Sequence, residues 1–198
     1  MSVTAVKYDR GMTRWEPNAR GRLERAALEL YGERGFEQTT VAEIAARAGL
    51  TERTFFRHFA DKREVLFWGA GALQELLVGT VASAPGSAAP IDAVAAAIEA
   101  AGVVLQERRE YARQRQAVIA ANVELQEREL IKLQSLAGAI KAALVNRGVA
   151  VNAAILASQA GVTVFHVAFA RWVEQDDPAA FRRLMAESLE ELRSVTAA

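Results

Sequence analysis

The sequence predicts an all-α protein of about nine helices. Apolar residues recur three and four positions apart through most of the chain, which is the spacing of one face of an α-helix, and no stretch alternates as a strand would. With 52% hydrophobic residues among 198, a sizeable core can form. Start and stop signals divide the chain into helical segments at about residues 22–35, 40–49, 51–58, 61–81, 91–106, 110–121, 123–147, 152–174 and 178–195.

The first four helices carry the clearest end signals. Gly35 suits the left-handed turn that commonly ends a helix. Thr40 and Glu43 have the spacing of a capping box, in which each side chain accepts a hydrogen bond from the backbone amide of the other residue. Asp61 and Glu64 repeat that spacing. We therefore expect a single fourth helix to run from residue 61 to about residue 81.

Two short helices joined at Gly49 form a predicted helix-turn-helix. Phe55 and Phe59 lie four residues apart in the second helix, so they share one face, which we expect to be buried. Phe56 lies off that face and is expected to pack sideways, near a DNA backbone. The residues left for the outward surface are Thr51, Glu52, Arg53, Thr54, Arg57 and His58.

Residues 20–66 resemble the DNA-binding domain of the TetR family of bacterial transcriptional regulators. The resemblance rests on residues 31–36, 39–49, 50–59 and 61–64. It implies a helix-turn-helix domain over residues 20–66 and a helical effector-binding and dimerisation domain over residues 67–198. Residues 1–19, which include Lys7, Arg10 and Arg14, are expected to form a basic arm that reaches DNA.

The resemblance also implies which side chains contact DNA. Thr39 and Thr40 match positions that bind phosphate at a helix N-terminus. Lys62 matches a lysine that contacts the DNA backbone. Arg53 and Arg57 could bind O6 and N7 of guanine. The chain departs from the family at Phe56, where tyrosine is usual, and at Arg53, where small residues are common. The predicted DNA-binding residues are Thr39, Thr40, Thr51, Glu52, Arg53, Thr54, Phe56, Arg57, His58 and Lys62.

Structural roles compete with several of these assignments. Glu52 and Arg53 can pair with each other in solvent, His58 can cap or pack against the fourth helix, and Phe56 can serve packing alone. These alternatives stay open at the level of sequence.

The last two helices predict a dimer. The final helix has an apolar stripe, and the preceding charge-free helix has small residues that allow close approach of another helix. A two-fold dimer joined by a four-helix bundle would bury both surfaces, and it would require an inverted-repeat operator in double-stranded DNA. The predicted dimerisation residues are Ala157, Ala160, Gly161, Phe181, Leu184, Met185, Leu189 and Leu192.

An effector pocket among the fourth to eighth helices is a further implication of the resemblance. Such a pocket would suit a hydrophobic or amphipathic small molecule. Gln159, Thr163 and His166 share one helix face, and they need partners either across the dimer interface or in such a cavity. The candidate effector-binding residues are Trp68, Leu73, Leu77, Ile98, Tyr111, Arg115, Val118, Asn122, Phe165, His166 and Phe169.

Composition limits the alternatives. The chain has no cysteine, which excludes disulfides and thiolate chemistry and suits the cytoplasm. With 24 basic and 24 acidic residues the net charge is zero, so overall charge identifies no binding partner. The chain has only two histidines, and we predict no metal site. We also predict no cofactor and no catalytic residues. Residues 148–170 contain no Asp, Glu, Lys or Arg and have the length of a membrane span, but a helix buried inside a bundle has the same composition.

The sequence-based hypothesis is a ligand-responsive repressor that acts as a homodimer. Its alternatives are a regulator controlled by a protein partner, a helical protein–protein adaptor and an all-α enzyme. No nucleophile elbow, phosphate-binding glycine loop or zinc-protease helix motif supports the enzyme.

Overall fold

A computed structural model describes residues 18–177 and 179–197, and in them every regular element is helical. The predicted all-α fold of about nine helices is confirmed. Lys7, Arg10 and Arg14 of the predicted arm, and the predicted helix start at Pro178, lie outside the described residues. The helices are α1 (Ala19–Arg34), α2 (Val41–Arg47), α3 (Glu52–His58), α4 (Ala70–Ser83), α5 (Pro90–Gln106), α6 (Arg109–Ala120), α7 (Val123–Asn146), α8 (Val151–Glu174) and α9 (Ala180–Thr196).

Local signals define the ends of the first three helices. Thr40 and Glu43 form the predicted capping box in both directions, which fixes the start of α2. Thr51 starts α3 by accepting a hydrogen bond from the amide of Thr54 at 3.2 Å. Gly35 has φ 84° after α1, and Gly49 has φ 64° between α2 and α3, conformations that favour glycine.

The predicted fourth helix is wrong in its first part. Asp61 accepts hydrogen bonds from the amides of Arg63 and Glu64 at 2.8 and 3.1 Å, but only a 3₁₀ turn follows over Glu64–Leu66, and α4 begins at Ala70. Val65, Leu66 and Phe67 are all buried. All three belong to the hydrophobic cluster that includes Phe55. Three consecutive residues cannot share one face of an α-helix, so the segment departs from α-helical geometry where this core buries it.

The N-terminal core lies among α1, α2, α3 and the segment that follows them. Its completely buried members include Leu23, Ile44 and Phe55. The same cluster includes Val118 and Ile119 from α6 and Leu125 from α7. The helix-turn-helix domain therefore shares its core with the C-terminal helices.

The C-terminal core is built by α4, α5, α7, α8 and α9 around the apolar face of α8. At Gly161 a side chain would overlap Val94, so the glycine allows α8 to approach α5 closely. Trp172 of α8 stacks on Phe181 of α9 with ring centroids 4.6 Å apart.

The stripe of α9 corrects one prediction. Phe181, Leu184 and Met185 were predicted to join two subunits, but they are at most 4% exposed within the protomer. The apolar face of α9 is buried against α5 and α8 of the same chain. Gly161 and Ala157 are buried in that core as well, whereas Ala160, Leu189 and Leu192 remain partly exposed.

Two described stretches, residues 64–83 and 151–174, are long and apolar enough to cross a bilayer. Half of the apolar window in the second stretch, which is α8, is buried, as in the core helix of a folded domain. The first stretch is interrupted before Ala70. Both are weak evidence for a membrane span.

Candidate nucleic-acid interface

The turn of the helix-turn-helix is held from inside. The amide of Leu50 donates to the carbonyl of Ala45 at 2.8 Å, and the guanidinium of Arg22 donates to the carbonyl of Ala48. A side chain at Gly49 would come within 2.7 Å of that guanidinium. Phe55 is completely buried and Phe59 is 4% exposed, which confirms the predicted inner face of α3.

The outward face of α3 presents two arginines without carboxylate partners. Arg53 and Arg57 are exposed, and neither forms an ion pair or hydrogen bond with any side chain in the described part of the chain. Neighbouring arginines differ, since Arg47 pairs with Glu33 at 2.8 Å and Arg34 with Glu43 at 2.7 Å. Arg53 and Arg57 therefore keep their guanidinium donors available to a ligand.

Phe56 lies on the outside of α3, on the same face as these arginines. Its side chain is 55% exposed, and its ring meets that of Phe55 in a T-shaped contact with centroids 5.5 Å apart. This contact is the packing role that sequence reasoning left open. About half of the Phe56 surface remains exposed to solvent, so packing within the protein does not by itself explain a phenylalanine at this position.

The four candidate threonines divide into three exposed or partly exposed residues and one buried residue. Thr40 and Thr51 use their hydroxyls as helix caps, and the Thr54 hydroxyl lies 3.1 Å from that of Thr51. Thr39 is 1% exposed, and its hydroxyl donates to the carbonyl of Gly35 at 2.8 Å. The prediction that Thr39 binds phosphate is therefore corrected, because its hydroxyl closes the turn after α1.

Lys62 also has an internal role. Its ammonium donates to the carbonyls of Phe36, Thr39 and Glu37 at 2.8, 3.1 and 3.3 Å, and it lies 4.3 Å from the centre of the Phe36 ring. An ammonium has three donors, and all three are used. These bonds tie residues 61–67 to the turn between α1 and α2, and the phosphate contact of Lys62 stays a prediction.

His58 is half-buried in the last turn of α3. Its Nε2 is buried without a hydrogen-bond partner among the described residues. Burial, followed by the positive charges of Arg57 and Arg20, lowers the pKa of His58. The folded protein therefore favours the neutral form of the His58 imidazole. This favours the predicted packing role over a contact between a charged imidazole and phosphate.

A set of ion pairs joins the segment after α3 to α7. The carboxylate of Glu64 accepts from Nε of Arg128 at 2.8 Å and from Nζ of Lys132 at 3.1 Å, while Arg63 pairs with Glu124. Burial opposes ionisation of Glu64, but the bonds to Arg128 and Lys132 outweigh it and lower the pKa of this carboxyl.

Two further contacts continue this junction on either side. Nε of Arg115 in α6 donates to the carbonyl of Leu66 at 2.7 Å, and its Nη1 pairs with Glu129 at 2.9 Å. The Tyr31 hydroxyl of α1 donates to the carbonyl of Lys62 at 2.6 Å. Residues 61–67 are thus bonded to the helix-turn-helix on one side and to α6 and α7 on the other.

A polar cleft of about 460 Å³ opens between α1 and α6. Glu24 of α1, 5% exposed, pairs there with Arg108 at 3.1 Å. Burial, and then hydrogen bonding to Glu24, raises the pKa of Tyr111 in the same cleft. This is a second polar connection between the two halves of the molecule.

The eleven candidate effector residues do not line one cavity. Leu77, Ile98 and Phe165 belong to the C-terminal core, with Leu73 and Phe169 packed against it. Val118 belongs to the N-terminal core, with Trp68 and Tyr111 packed against that core.

The remaining candidates have structural partners or lie on the surface. Arg115 is occupied by Leu66 and Glu129, and the side-chain amide of Asn122 donates to the carbonyl of Val118 at 2.7 Å. His166 is exposed. A groove of about 360 Å³ among α5, α8 and α9 includes Ile98 but no other candidate effector residue.

Two polar residues of α6 were missed by sequence reasoning. Arg109 and Gln116 are seven positions apart, so they lie on one face of the helix, and Ala112 of that face belongs to the C-terminal core. Nε of Arg109 and Oε1 of Gln116 are buried without hydrogen-bond partners in the described structure. The signal in the sequence that could have identified them is the spacing of the two polar residues, which places both on the same helix face.

The face of α8 opposite the core is exposed and partly apolar. Ile155, Leu156 and Val167 are 40, 72 and 43% exposed. Gln159, Thr163 and His166 lie on this same surface, and Nε2 of Gln159 donates to Oε1 of Gln134 in α7 at 3.3 Å. The polar row is therefore at the protein surface, in the setting expected of an interface.

Comparison with known proteins relates the helix-turn-helix region to a family of regulators. Residues 24–67 match the model for the bacterial regulatory proteins of the tetR family. The HTH-type transcriptional regulator TcmR of Streptomyces glaucescens is 40% identical over 109 residues, which cover 50% of this chain and 48% of that protein. The match thus spans about half the length of this relative.

Solved structures share the fold over most of the chain. SmeT in complex with triclosan has a TM-score of 0.64 and 18% identity, over 89% of this chain and 90% of that chain. SmeT is the repressor of the Stenotrophomonas maltophilia multidrug efflux pump SmeDEF. FadR of Bacillus subtilis in complex with stearoyl-CoA has a TM-score of 0.61 and 22% identity, over 87% of this chain and 96% of that chain. At these identities the likeness concerns the fold.

Proposed function

Because this chain belongs to the TetR family of bacterial regulatory proteins, we propose that it is a dimeric transcriptional repressor that a hydrophobic or amphipathic small molecule releases from its operator. It would act in the cytoplasm on an inverted repeat in double-stranded DNA. The observation that carries the proposal is the outward face of α3, where Arg53 and Arg57 have no side-chain partners among residues 18–177 and 179–197.

The recognition helix is suited to read the major groove. A guanidinium donates two hydrogen bonds to O6 and N7 of guanine, a pairing worth about 1–3 kcal/mol of discrimination against another base. Thr40, Thr51 and Thr54 lie at the starts of α2 and α3, where they can contact phosphate. With Thr39 and Lys62 used internally, the proposed interface depends on α3 and its threonine neighbours.

The exposed face of α8 is the proposed dimer surface. Leu156 and the polar row beside it would be covered by the same face of a second copy, and Leu130 and Ile131 of α7, 60 and 59% exposed, would extend the contact. An isologous contact of this kind has two-fold symmetry and presents the two α3 helices to two half-sites. The apolar stripe of α9 would then support α8 from behind.

We place the effector in the C-terminal domain, between α6 and the apolar residues of the C-terminal core. Two proteins of the same fold contain an amphipathic or hydrophobic molecule, triclosan in SmeT and stearoyl-CoA in FadR. In this chain Arg109 and Gln116 supply a donor and an acceptor beside apolar side chains, the combination that fixes the orientation of such a ligand. An acceptor group on the effector would pair with Arg109.

Residues 61–67 would connect that site to DNA binding. They are bonded to Tyr31 of α1 and, through Glu64 and Leu66, to Arg128 and Arg115. In a second conformation these bonds are broken and α1–α3 have moved. An effector that binds this second conformation more tightly than the one described above would weaken operator binding.

Footprinting tests the proposal. The full chain is incubated at physiological salt with the DNA upstream of its own gene, beside an Arg57→Ala variant. We expect protection of an inverted repeat whose half-sites are about 10 base pairs apart or a multiple of that, with protection lost in the variant. Diffuse protection that is equal in both proteins would contradict sequence-specific binding through α3.

A further inference from the structure

Phe56 shares the recognition face of α3 with Arg53 and Arg57, which have no carboxylate partner in the described structure. At 3.6 residues per turn, Arg53, Phe56 and Arg57 lie within about 100° of the helix circumference. The ring of Phe56 is 55% exposed, although the other outward residues of this helix are polar or charged. A large apolar side chain therefore lies on the same face as these hydrogen-bonding groups, at one edge of the arc.

A phenyl ring restricts what it can recognise in DNA. It has no hydrogen-bond donor or acceptor, so it cannot bind a phosphate or a base edge as arginine does. The apolar group that the major groove offers is the 5-methyl group of thymine. The ring is also held in position, because its T-shaped contact with the completely buried Phe55 has an interplanar angle of 82°.

We propose that Phe56 is a specificity-determining residue that contacts the 5-methyl group of a thymine in each operator half-site. The thymine lies within one or two base pairs of a guanine bound by Arg53 or Arg57, because the three side chains share one face of a single helix turn. This inference rests on the proposed function, since it presumes that α3 enters the major groove. It adds a base preference that the arginines alone do not supply.

The test begins with the operator itself. The full chain selects its preferred sequence from a random double-stranded DNA library, and each thymine of the selected site is then replaced singly by deoxyuridine. This replacement removes one methyl group and leaves all hydrogen-bonding atoms in place. Binding is measured for the wild-type chain, for Phe56→Ala and for Phe56→Leu, which retains an apolar side chain.

We expect one thymine in each half-site at which deoxyuridine weakens wild-type binding about fourfold, as the loss of one buried methyl group predicts. The same replacement leaves the affinity of Phe56→Ala unchanged and has an intermediate effect on Phe56→Leu. Because the wild-type chain is tested on both DNAs, the effect does not depend on the folding of a variant. Melting curves for both variants verify that α3 remains folded.

Two results would overturn the inference and remain distinguishable. If Phe56→Ala weakens binding equally on thymine and deoxyuridine DNA at every position, the ring contacts deoxyribose and reads no base. If selection enriches no sequence at all, the proposed function fails together with the inference.

Discussion

Glu64 and Arg128 form an ion pair that joins the segment after the recognition helix to α7. Nε of Arg128 lies 2.8 Å from Oε1 of Glu64, and Lys132 binds the second carboxylate oxygen at 3.1 Å. The Glu64 carboxylate thus binds two positively charged side chains of α7. In the same segment, Lys62 contacts the helix-turn-helix domain and Leu66 contacts α6. This pair is a direct non-covalent link between α7 and the segment that follows the recognition helix.

Replacing Glu64 by glutamine should loosen this junction. The variant leaves Arg128 and Lys132 without their carboxylate, and we expect a loss of roughly 1–2 kcal/mol in the free energy of unfolding, between the values typical of exposed and buried pairs. Chemical denaturation measures this loss. Glu190→Gln is the matched control, since Glu190 pairs with Arg193 on the exposed surface of α9. Equal effects of the two substitutions would contradict a special role for Glu64.

The contribution of Glu64 should depend on pH. Its pKa is lowered in the folded protein from an ordinary value of 4.5, so the folded state loses this proton more readily than the unfolded state does. The stability that Glu64 contributes is therefore fully present above about pH 4.5 and is lost as the pH falls through the lowered folded pKa. Melting temperatures of the wild type and Glu64→Gln should differ at pH 7 and converge in acid. A difference that is constant with pH would refute this ionic role.

His58 should make the protein less stable in mildly acidic solution. Its pKa is lowered below 6.5 by burial and by Arg57 and Arg20, so the unfolded chain takes up a proton first as the pH falls. Stability therefore declines from about pH 6.5 downward until the pH reaches the folded pKa. The melting temperature of His58→Gln should fall less than that of the wild type between pH 7.5 and pH 5.5, and parallel curves would show that His58 does not contribute.

A charge on the outward face of α8 should prevent dimerisation. Leu156 is 72% exposed in the protomer, so Leu156→Glu is not expected to disturb the fold, but it would place two like charges near the two-fold axis. Light scattering after size-exclusion chromatography at micromolar concentration should give the dimer mass for wild type and the monomer mass for the variant. Val195→Glu on α9, at a residue 78% exposed, is the control and should remain dimeric. A dimeric Leu156→Glu protein would place the interface elsewhere.

Removing Oε1 of Gln116, which is buried without a hydrogen-bond partner among the described residues, should stabilise the ligand-free protein. A buried polar atom without a hydrogen bond costs about 1–3 kcal/mol, and leucine fills a similar volume without that cost. We expect Gln116→Leu to raise the melting temperature by about 2–4 °C per kcal/mol gained. Gln114→Leu, at an exposed position of the same helix, is the control and should have little effect. A lower melting temperature for Gln116→Leu would mean that its amide is already satisfied.

Features that depend on neighbouring residues in the chain were predictable from the sequence. The helix boundaries follow from caps such as Thr40 and from glycines such as Gly35, whose action is local. The buried face of α3 followed from the spacing of Phe55 and Phe59. In each case the physical cause lies within a few residues of its effect.

Features that depend on tertiary partners were not predictable in the same way. The periodicity of α9 shows that Phe181 is buried, but it does not distinguish burial against α5 and α8 from burial against a second subunit. Lys62 resembles a phosphate-binding lysine, yet its partners are three carbonyls that only the fold brings together. The break before Ala70 likewise arises because the N-terminal core buries Val65, Leu66 and Phe67 together.

The most direct test of the account is the ratio between affinity for the selected operator and affinity for a scrambled sequence of equal length, measured at one salt concentration. Arg57→Ala is compared with Arg183→Ala, which removes the same charge from an arginine paired with Glu187 on α9. We expect Arg57→Ala to lower this ratio by about 1–3 kcal/mol, or roughly 5- to 150-fold, and Arg183→Ala to leave it unchanged. A ratio that neither substitution alters, or that both lower equally, would contradict sequence reading by the recognition helix.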